Sequence, residues 1–217
     1  MKTLTVVLTA LATISVFRSP ALAAVPEPMC ARDAGSCLAT PASSDPTRLG
    51  CWHHLPGRFT SQGCRADVRE QAEKWGRTFE VEASWITSHA VAESRCRPEA
   101  VSSAGATGVM QVKLARARDL VRWIRRSTYA AEGDVELVLA SAWRGLRTDL
   151  HRVDLNVMLA AYDLRRLTDK FGKNRDLVAA AYNQGEGKIA RCLAAGRPLP
   201  PRAAEYVKRV RRTEKHT

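Results

Sequence analysis

Glu93 is the residue of this sequence whose surroundings most favour chemistry. It lies near the end of a predicted helix, and Trp85, Ile86 and His89 fall at spacings that place them on the same face. A carboxyl group among apolar side chains loses the solvation of its charged form, so its pKa rises and it can act as a general acid near neutral pH. Taken alone, an acid at this place is more often a helix cap or an ion-pair partner, and a histidine such as His89 is more often packed and hydrogen-bonded than catalytic.

The elements that must position Glu93 are predicted to be helices. Pro98 and the small residues of the run from Ser103 to Gly108 interrupt the helical pattern and suit turns and a small β-hairpin. The sequence therefore predicts a mainly α fold with a small strand element. Helical periodicity marks residues 66–75 (ending near Gly76), 80–93, 114–126, 134–147, 156–170, a helix starting at 177–182, and 202–212.

Residues 1–23 have the features of a signal peptide. Lys2 precedes an apolar stretch, which ends at Arg18 and Pro20, and Ala21-Leu22-Ala23 supplies the small residues that signal peptidase prefers. The apolar stretch is shorter than the roughly 20 residues needed to cross a bilayer, and no later segment is long and apolar enough. We therefore expect a periplasmic or secreted protein with no membrane span in its mature chain.

The charge of the chain indicates an anionic partner. Removing residues 1–23 takes away Lys2 and Arg18 and no acid, so a formal charge of +10 remains from the +12 of the whole chain. A basic surface attracts polyanions. For an exported protein, the carboxylates of the bacterial cell wall fit better than nucleic acid, although a basic surface can also serve solubility alone.

All six cysteines lie outside the predicted signal peptide, and an even number in an exported chain predicts three disulfides. Residues 24–65 are rich in Pro, Ser, Gly and Cys without a sustained apolar period, which is typical of an irregular, disulfide-tied leader. Residues 66–217 form the predicted helical domain. We expect no metal, because the chain has no CxxC pair and His53 and His54 are adjacent.

Three stretches match one pattern in the same order. They are Glu93-Ser94, then residues 100–102 (AVS) with 105–111 (GATGVMQ), then residues 181–185 (AYNQG). They resemble the three signatures of the lysozyme-like lytic transglycosylases, the family of soluble lytic transglycosylase catalytic domains, and Glu205-Tyr206-Val207 resembles the family's C-terminal helix. The resemblance spans residues 66–210 and implies a lysozyme-like α+β fold.

The resemblance also implies a function for particular residues. Glu93 matches the family's single acid/base, and Ser94 the serine beside it. Ser102 matches a serine that contacts the sugar, and Gln111 an amide in the floor of the cleft. Tyr182 and Asn183 match the pair that holds the substrate's N-acetyl group. No cofactor is implied.

The implied reaction is cleavage of the β-1,4 bond between N-acetylmuramic acid and N-acetylglucosamine in peptidoglycan glycan strands, which leaves 1,6-anhydromuramyl ends. One carboxyl group suffices where the sugar's acetamido group assists. Two alternatives stay open. A muramidase of the same fold would use water, and Asp163 is a candidate second carboxylate for it. A non-catalytic wall-binding or assembly protein would retain Glu93 without using it.

The chain departs from the family pattern at several positions. Cys96 replaces an aromatic residue, Lys113 replaces an apolar one, and Asp163 stands where a tyrosine is usual, with Tyr162 displaced by one position. The segment between Gln111 and Asn156 is longer than usual by about one helix.

The position of Cys96 in the family pattern underlies the predicted disulfides. We expect Cys96 to pair with Cys192, because both would flank the cleft, and the leader to form Cys30–Cys37 and Cys51–Cys64. Cys96 as a free thiol, or paired to the leader, is the alternative. The leader is also a candidate recruiting module for an envelope-spanning secretion machine, with Trp52, His53 and His54 as its contact patch. We expect a monomer that binds no nucleic acid.

Overall fold

The computed structural model describes residues 63–214, and they form a mainly helical fold with one β-hairpin. This confirms the predicted fold class. Single 3-10 turns cover Thr128–Ala131 and Arg147–His151. The helices and strands in chain order are α1 (Ala66–Phe79), α2 (Ala83–Ser94), β1 (Ala106–Thr107), β2 (Val112–Lys113), α3 (Leu114–Ile124), α4 (Gly133–Ala142), α5 (Val153–Phe171), α6 (Arg175–Gln184), α7 (Glu186–Ala194) and α8 (Pro201–Glu214).

Helix α5 is the centre of the core. Every residue from Leu155 to Leu164 is buried, and a helix that is buried on all sides must be surrounded by other elements. α1 and α6 pack directly against it. α1 contributes Trp75 and Phe79, whose rings lie 6.0 Å apart. α2 packs between α1 and α8, so the core supports the helix that carries Glu93.

Gly76 does not end the first helix, which corrects the prediction. α1 continues to Phe79 and ends where Glu80 takes a left-handed conformation. A Cβ atom at position 76 would lie 2.6 Å from the carbonyl oxygen of Val81. The glycine therefore serves close packing of the chain that follows the helix, instead of terminating it.

The hairpin is attached to α5 through Asn156. β1 and β2 pair antiparallel. The fully buried Asn156 accepts a hydrogen bond from the Met110 N–H at 2.8 Å and donates to the carbonyls of Thr107 and Leu150 at 3.0 and 2.9 Å. Gly108 lies beneath this amide with a φ of +82°. These three hydrogen bonds fix the loop that leads into Gln111.

Two other predicted helices have different ends in the structure. The one predicted over 134–147 ends at Ala142, and Gly145 follows with a φ of +81°. The helix predicted to start at 177–182 begins at Arg175 and is divided at Gly185, whose φ of +88° separates α6 from α7. Among residues 63–214, no helix combines the length and the apolar character that a membrane span needs.

Cys96 forms a disulfide with Cys64, at a Cα–Cα distance of 5.5 Å. The predicted pairs Cys96–Cys192 and Cys51–Cys64 are therefore wrong, and the alternative of a bond between Cys96 and the leader is confirmed. The reason is local geometry: Arg95 and Cys96 both have positive φ, so the chain reverses after α2 and Cys96 meets the start of α1. Cys192 is half-buried in α7 and has no disulfide within residues 63–214. The predicted pair Cys30–Cys37 lies outside the described residues.

Candidate active site

Glu93 lies in the last turn of α2, one residue before the helix ends at Ser94. Burial raises the pKa of its carboxyl group to about 7, while a hydrogen bond from Tyr206 and the positive charge of Arg209 act in the opposite direction. A substantial fraction of the Glu93 side chains is therefore protonated at neutral pH. The carboxyl can donate a proton and, once ionised, can take one back.

Tyr206 and His89 lie behind Glu93. The Tyr206 side chain is fully buried in α8, and its hydroxyl is 2.8 Å from Nδ1 of His89. Burial, followed by the negative charge of Glu93, raises the pKa of Tyr206 well above its ordinary value. Burial lowers the pKa of His89 to about 3, so the imidazole is neutral. The sequence analysis did not include Tyr206 among the site residues. The resemblance of Glu205-Tyr206-Val207 to the family's C-terminal helix was the signal that could have identified it.

Ser94 is hydrogen-bonded within the protein. Its buried hydroxyl donates to the carbonyl of Val109 at 2.8 Å and accepts from the Arg97 N–H at 3.0 Å. These contacts join the end of α2 to the hairpin. Ser94 therefore holds the helix of Glu93 against the loop that carries Gln111.

Tyr182 and Gln111 meet at the same loop. The Tyr182 hydroxyl donates to the carbonyl of Met110 at 2.9 Å. Its ring lies 5.1 Å from that of His89, and burial and then the charge of Glu93 raise its pKa well above the ordinary value. Gln111 has a left-handed backbone, and its side-chain amide donates to the carbonyls of Ala100 and Gly108, both at 3.0 Å.

Ser102 and Asn183 are the remaining predicted contacts to the sugar. The Ser102 hydroxyl accepts a hydrogen bond from the Ala106 N–H at 3.0 Å, next to the hairpin. The Asn183 side-chain oxygen accepts from the amide of Gln184 at 2.7 Å. Hydrogen bonds and ring contacts thus connect Glu93, Tyr182 and the Met110-Gln111 turn, whereas Ser102 and Asn183 lie on neighbouring segments of the chain.

Asp163, the candidate second carboxylate, is held by two arginines. Its oxygens accept two hydrogen bonds from Arg116, at 2.5 and 2.9 Å, and two from Arg166, at 3.1 and 3.3 Å. Only 6% of the side chain is exposed. Both arginines also lie over the ring of Trp123, each 4.9 Å from its centroid. Within residues 63–214, no group of three or more His, Cys, Asp or Glu side chains is placed to hold a metal ion.

The family is decided by a match over more than half of the chain. The model of the transglycosylase SLT domain matches residues 70–197. The chain belongs to this family. The match covers Glu93, the hairpin, Asp163 and Tyr182, and it ends before Tyr206. It confirms the family that the motifs at Glu93, 105–111 and 181–185 indicate.

This chain spans about a fifth to a quarter of the length of the relatives it matches. A soluble lytic murein transglycosylase of Salmonella typhimurium is 26% identical over 148 residues, which are 67% of this chain and 20% of the relative. The 70-kDa soluble lytic transglycosylase of Escherichia coli aligns with a TM-score of 0.55 at 23% identity. An inactive mutant of the lytic transglycosylase Slt from Pseudomonas aeruginosa aligns with a TM-score of 0.51, also at 23% identity. Each structural alignment covers 67% of this chain and 23% of the other, and supports a shared fold.

Proposed function

We propose that this protein is a lytic transglycosylase that cleaves the β-1,4 bond between N-acetylmuramic acid and N-acetylglucosamine in peptidoglycan, with Glu93 as its single acid/base. The observation that carries the proposal is the half-buried carboxyl of Glu93 in the last turn of α2, whose pKa of about 7 suits proton transfer in both directions. Membership of the SLT family supports the same activity.

The reaction takes two steps. Glu93 protonates the oxygen that links the two sugars, while the muramyl acetamido oxygen attacks its own anomeric carbon and the bond to the leaving sugar breaks. The ionised Glu93 then removes the proton from the muramyl C6 hydroxyl, whose oxygen displaces the acetamido oxygen at that carbon. The products are a 1,6-anhydromuramyl end and a free hydroxyl on the leaving sugar, and Glu93 is again protonated.

The surroundings of Asp163 favour this reaction over hydrolysis. A hydrolytic enzyme that uses a second carboxylate needs it free to activate water. Asp163 instead binds Arg116 through both oxygens and Arg166 through one. These charge-assisted bonds occupy the lone pairs that a water would need. We therefore assign Asp163 a structural role.

The polar residues of the predicted sugar contacts complete the proposal. We place Gln111 in the floor of the cleft, Ser102 against the bound sugar, and Tyr182 with Asn183 at the N-acetyl group. Ser94 contributes through the position of Glu93. The substrate places the site of action in the periplasm or outside the cell, in keeping with the predicted signal peptide at residues 1–23.

The products of peptidoglycan digestion test the proposal. Purified peptidoglycan is digested, reduced with borohydride and analysed by mass spectrometry, because reduction converts reducing ends and leaves anhydro ends unchanged. We expect anhydromuramyl ends; reducing ends would indicate a muramidase, and no cleavage a wall-binding protein. Glu93→Gln protein prepared in parallel excludes a contaminating enzyme. Glu205→Gln changes an exposed acid in α8 and should cleave normally.

A further inference from the structure

His89 is a buried titratable side chain for which the proposed reaction has no use. It lies one helical turn before Glu93 and has no exposed surface. Aromatic rings surround it, with centroids 5.2 Å away for Trp85, 5.1 Å for Tyr182 and 5.7 Å for Tyr206. A polar group in such a place is costly unless hydrogen bonds compensate for its burial. Only one of its two ring nitrogens has a partner among the described residues.

The partner of His89 is the hydroxyl that also binds Glu93. Nδ1 of His89 is 2.8 Å from the Tyr206 hydroxyl, and a hydrogen bond from that hydroxyl lowers the pKa of Glu93 against the larger effect of burial. A hydroxyl has a single hydrogen, so it can point at only one of the two neighbours. The neutral imidazole has one N–H as well, on either Nδ1 or Nε2. The proton position on His89 thus determines the direction of the Tyr206 hydroxyl.

The two tautomers have opposite consequences for Glu93. With the proton on Nδ1, His89 donates to the Tyr206 oxygen, and the hydroxyl hydrogen points at the carboxyl of Glu93. With the proton on Nε2, the hydroxyl turns towards His89, and the N–H at Nε2 meets no acceptor among the described residues. An N–H left without an acceptor in the interior is rare. The hydrogen-bond pattern therefore favours the Nδ1–H tautomer.

We propose that His89 is a positioning residue for the reaction: its Nδ1–H orients the Tyr206 hydroxyl so that the hydroxyl hydrogen binds one oxygen of Glu93. This inference rests on the proposed function, in which Glu93 transfers the proton. With one carboxyl oxygen occupied, the acidic proton stays on the other oxygen, which remains free to transfer it. The same hydroxyl stabilises the carboxylate between the two steps, and the chain of two hydrogen bonds strengthens each of them.

The groups that face this chain set its pH dependence. α8 contributes Tyr206 and the charge of Arg209, and α6 contributes Tyr182. Asp163 of α5 and Arg116 of α3 act with opposite sign on Tyr182. His89 stays neutral through the accessible pH range, because burial lowers its pKa to about 3. The loss of activity at high pH therefore reflects the deprotonation of Glu93. Because the hydrogen bond from Tyr206 lowers the pKa of Glu93, weakening it should move that loss to higher pH.

Two substitutions of His89 separate positioning from packing. Asn places an amide where Nδ1 lies and can still donate to Tyr206, whereas Leu fills the space without a donor. For His89→Leu we expect kcat on glycan strands to fall about 10-fold to 100-fold, the effect of losing a hydrogen bond to a charged group, with KM unchanged. The fall of activity at high pH should shift to a higher pH in His89→Leu. His89→Asn should keep most of the wild-type kcat and a pH profile close to that of the wild type. Wild-type kcat and an unshifted pH profile in His89→Leu, or equal losses in both variants, would overturn the proposal.

A spectroscopic measurement tests the proposal without relying on activity. ¹⁵N NMR of the histidine-labelled full-length protein distinguishes the two tautomers, and His89→Asn identifies the His89 signals by their loss. We expect a protonated Nδ1 and an unprotonated Nε2 at neutral pH. The opposite tautomer would overturn the proposal even if the wild-type protein cleaves peptidoglycan. A wild-type protein with the expected tautomer and no anhydro products would instead contradict the proposed function.

Discussion

The disulfide between Cys64 and Cys96 joins the residues just before α1 to the turn just after α2. Both sulfur atoms are buried, and Cys96 follows Glu93 by three residues. The bond therefore closes the two helices into one unit and holds the chain reversal at Arg95 and Cys96, next to the acid.

Removing this disulfide should destabilise the domain without stopping catalysis at low temperature. The closed loop spans a sequence separation of 32 residues, which corresponds to about 3–4 kcal/mol in the chain-entropy model. We expect Cys64→Ala with Cys96→Ala to lower the free energy of unfolding by that amount in urea titrations. Cys192→Ala, which removes a half-buried thiol, is the control and should change it little. Non-reducing peptide mapping that links Cys96 to Cys192 would contradict the structure.

Gly108 should be far less tolerant of a side chain than Gly145. Their φ angles are nearly equal, +82° and +81°, so alanine meets the same backbone strain at both positions, about 1–2 kcal/mol. A Cβ at position 108 would also lie 2.2 Å from the Leu150 carbonyl oxygen, whereas nothing lies within 4 Å at position 145. We expect Gly108→Ala to cost at least about 2 kcal/mol more than Gly145→Ala, measured as the difference in free energy of unfolding. Equal costs would mean that the hairpin is not held against α5 by Asn156.

The helices were predictable from local sequence, but their ends were not. Hydrophobic periodicity identifies α1, α2, α3 and α5, because each buries one face or all faces in the core. It misplaces the end of α1, because Gly76 is required by a contact with Val81 that only the folded chain contains. The pairing of Cys96 failed for a similar reason, since it depends on two left-handed residues after α2.

The candidate site was predictable as a set of residues and not as a set of contacts. The motifs identify Glu93, Gln111 and Tyr182, and the fold brings them together. The hydrogen bond between Tyr206 and His89 joins residues 117 positions apart, and no local pattern reports such a contact. The same holds for the ion pair between Asp163 and Arg116, 47 positions apart, which together with Arg166 makes a candidate base part of an ion-pair network.

Asp163→Asn should weaken the fold without changing the type of product. The substitution removes the buried negative charge that pairs with Arg116 and Arg166, whose side chains are 30% and 21% exposed. Because water can still solvate these two arginines, we expect the free energy of unfolding to fall by about 2 kcal/mol, less than for a fully buried pair. Asp169→Asn on the same helix is the control, because that acid is 59% exposed and pairs with Arg165 at the surface. The digestion should still give anhydromuramyl ends. A selective loss of reducing ends in Asp163→Asn would restore Asp163 as a hydrolytic base.

Activity should decline as the pH rises above about 7. The first step needs protonated Glu93, whose pKa is about 7 in the folded protein because of burial, so kcat/KM should fall about tenfold for each further pH unit. Glu93→Gln should reduce the rate by at least about 10²-fold to 10⁴-fold, since it removes both the acid and the base. Initial rates on purified glycan strands between pH 5 and 9 measure both effects. A rate that is constant across that range would exclude Glu93 as the titrating acid.

Glu93→Gln should also stabilise the folded protein, and only at high pH. Burial raises the pKa of Glu93 from 4.5 to about 7 on folding, so between those values the folded state binds more protons than the unfolded state. Below about pH 4.5 Glu93 is protonated in both states and does not reduce the free energy of unfolding. As the pH rises from 4.5 to 7, the free energy of unfolding decreases, because ionisation then favours the unfolded state. At pH 8 the wild-type protein bears the whole cost of burying the charge, on the order of 3 kcal/mol, whereas glutamine never ionises.

Urea titrations at pH 5 and pH 8 should show Glu93→Gln more stable than the wild type at pH 8, with a much smaller difference at pH 5. Glu205→Gln, which changes an exposed acid in α8, should show no such gain, and a Glu93→Gln protein less stable than the wild type at pH 8 would mean that the carboxylate is well solvated in the folded state.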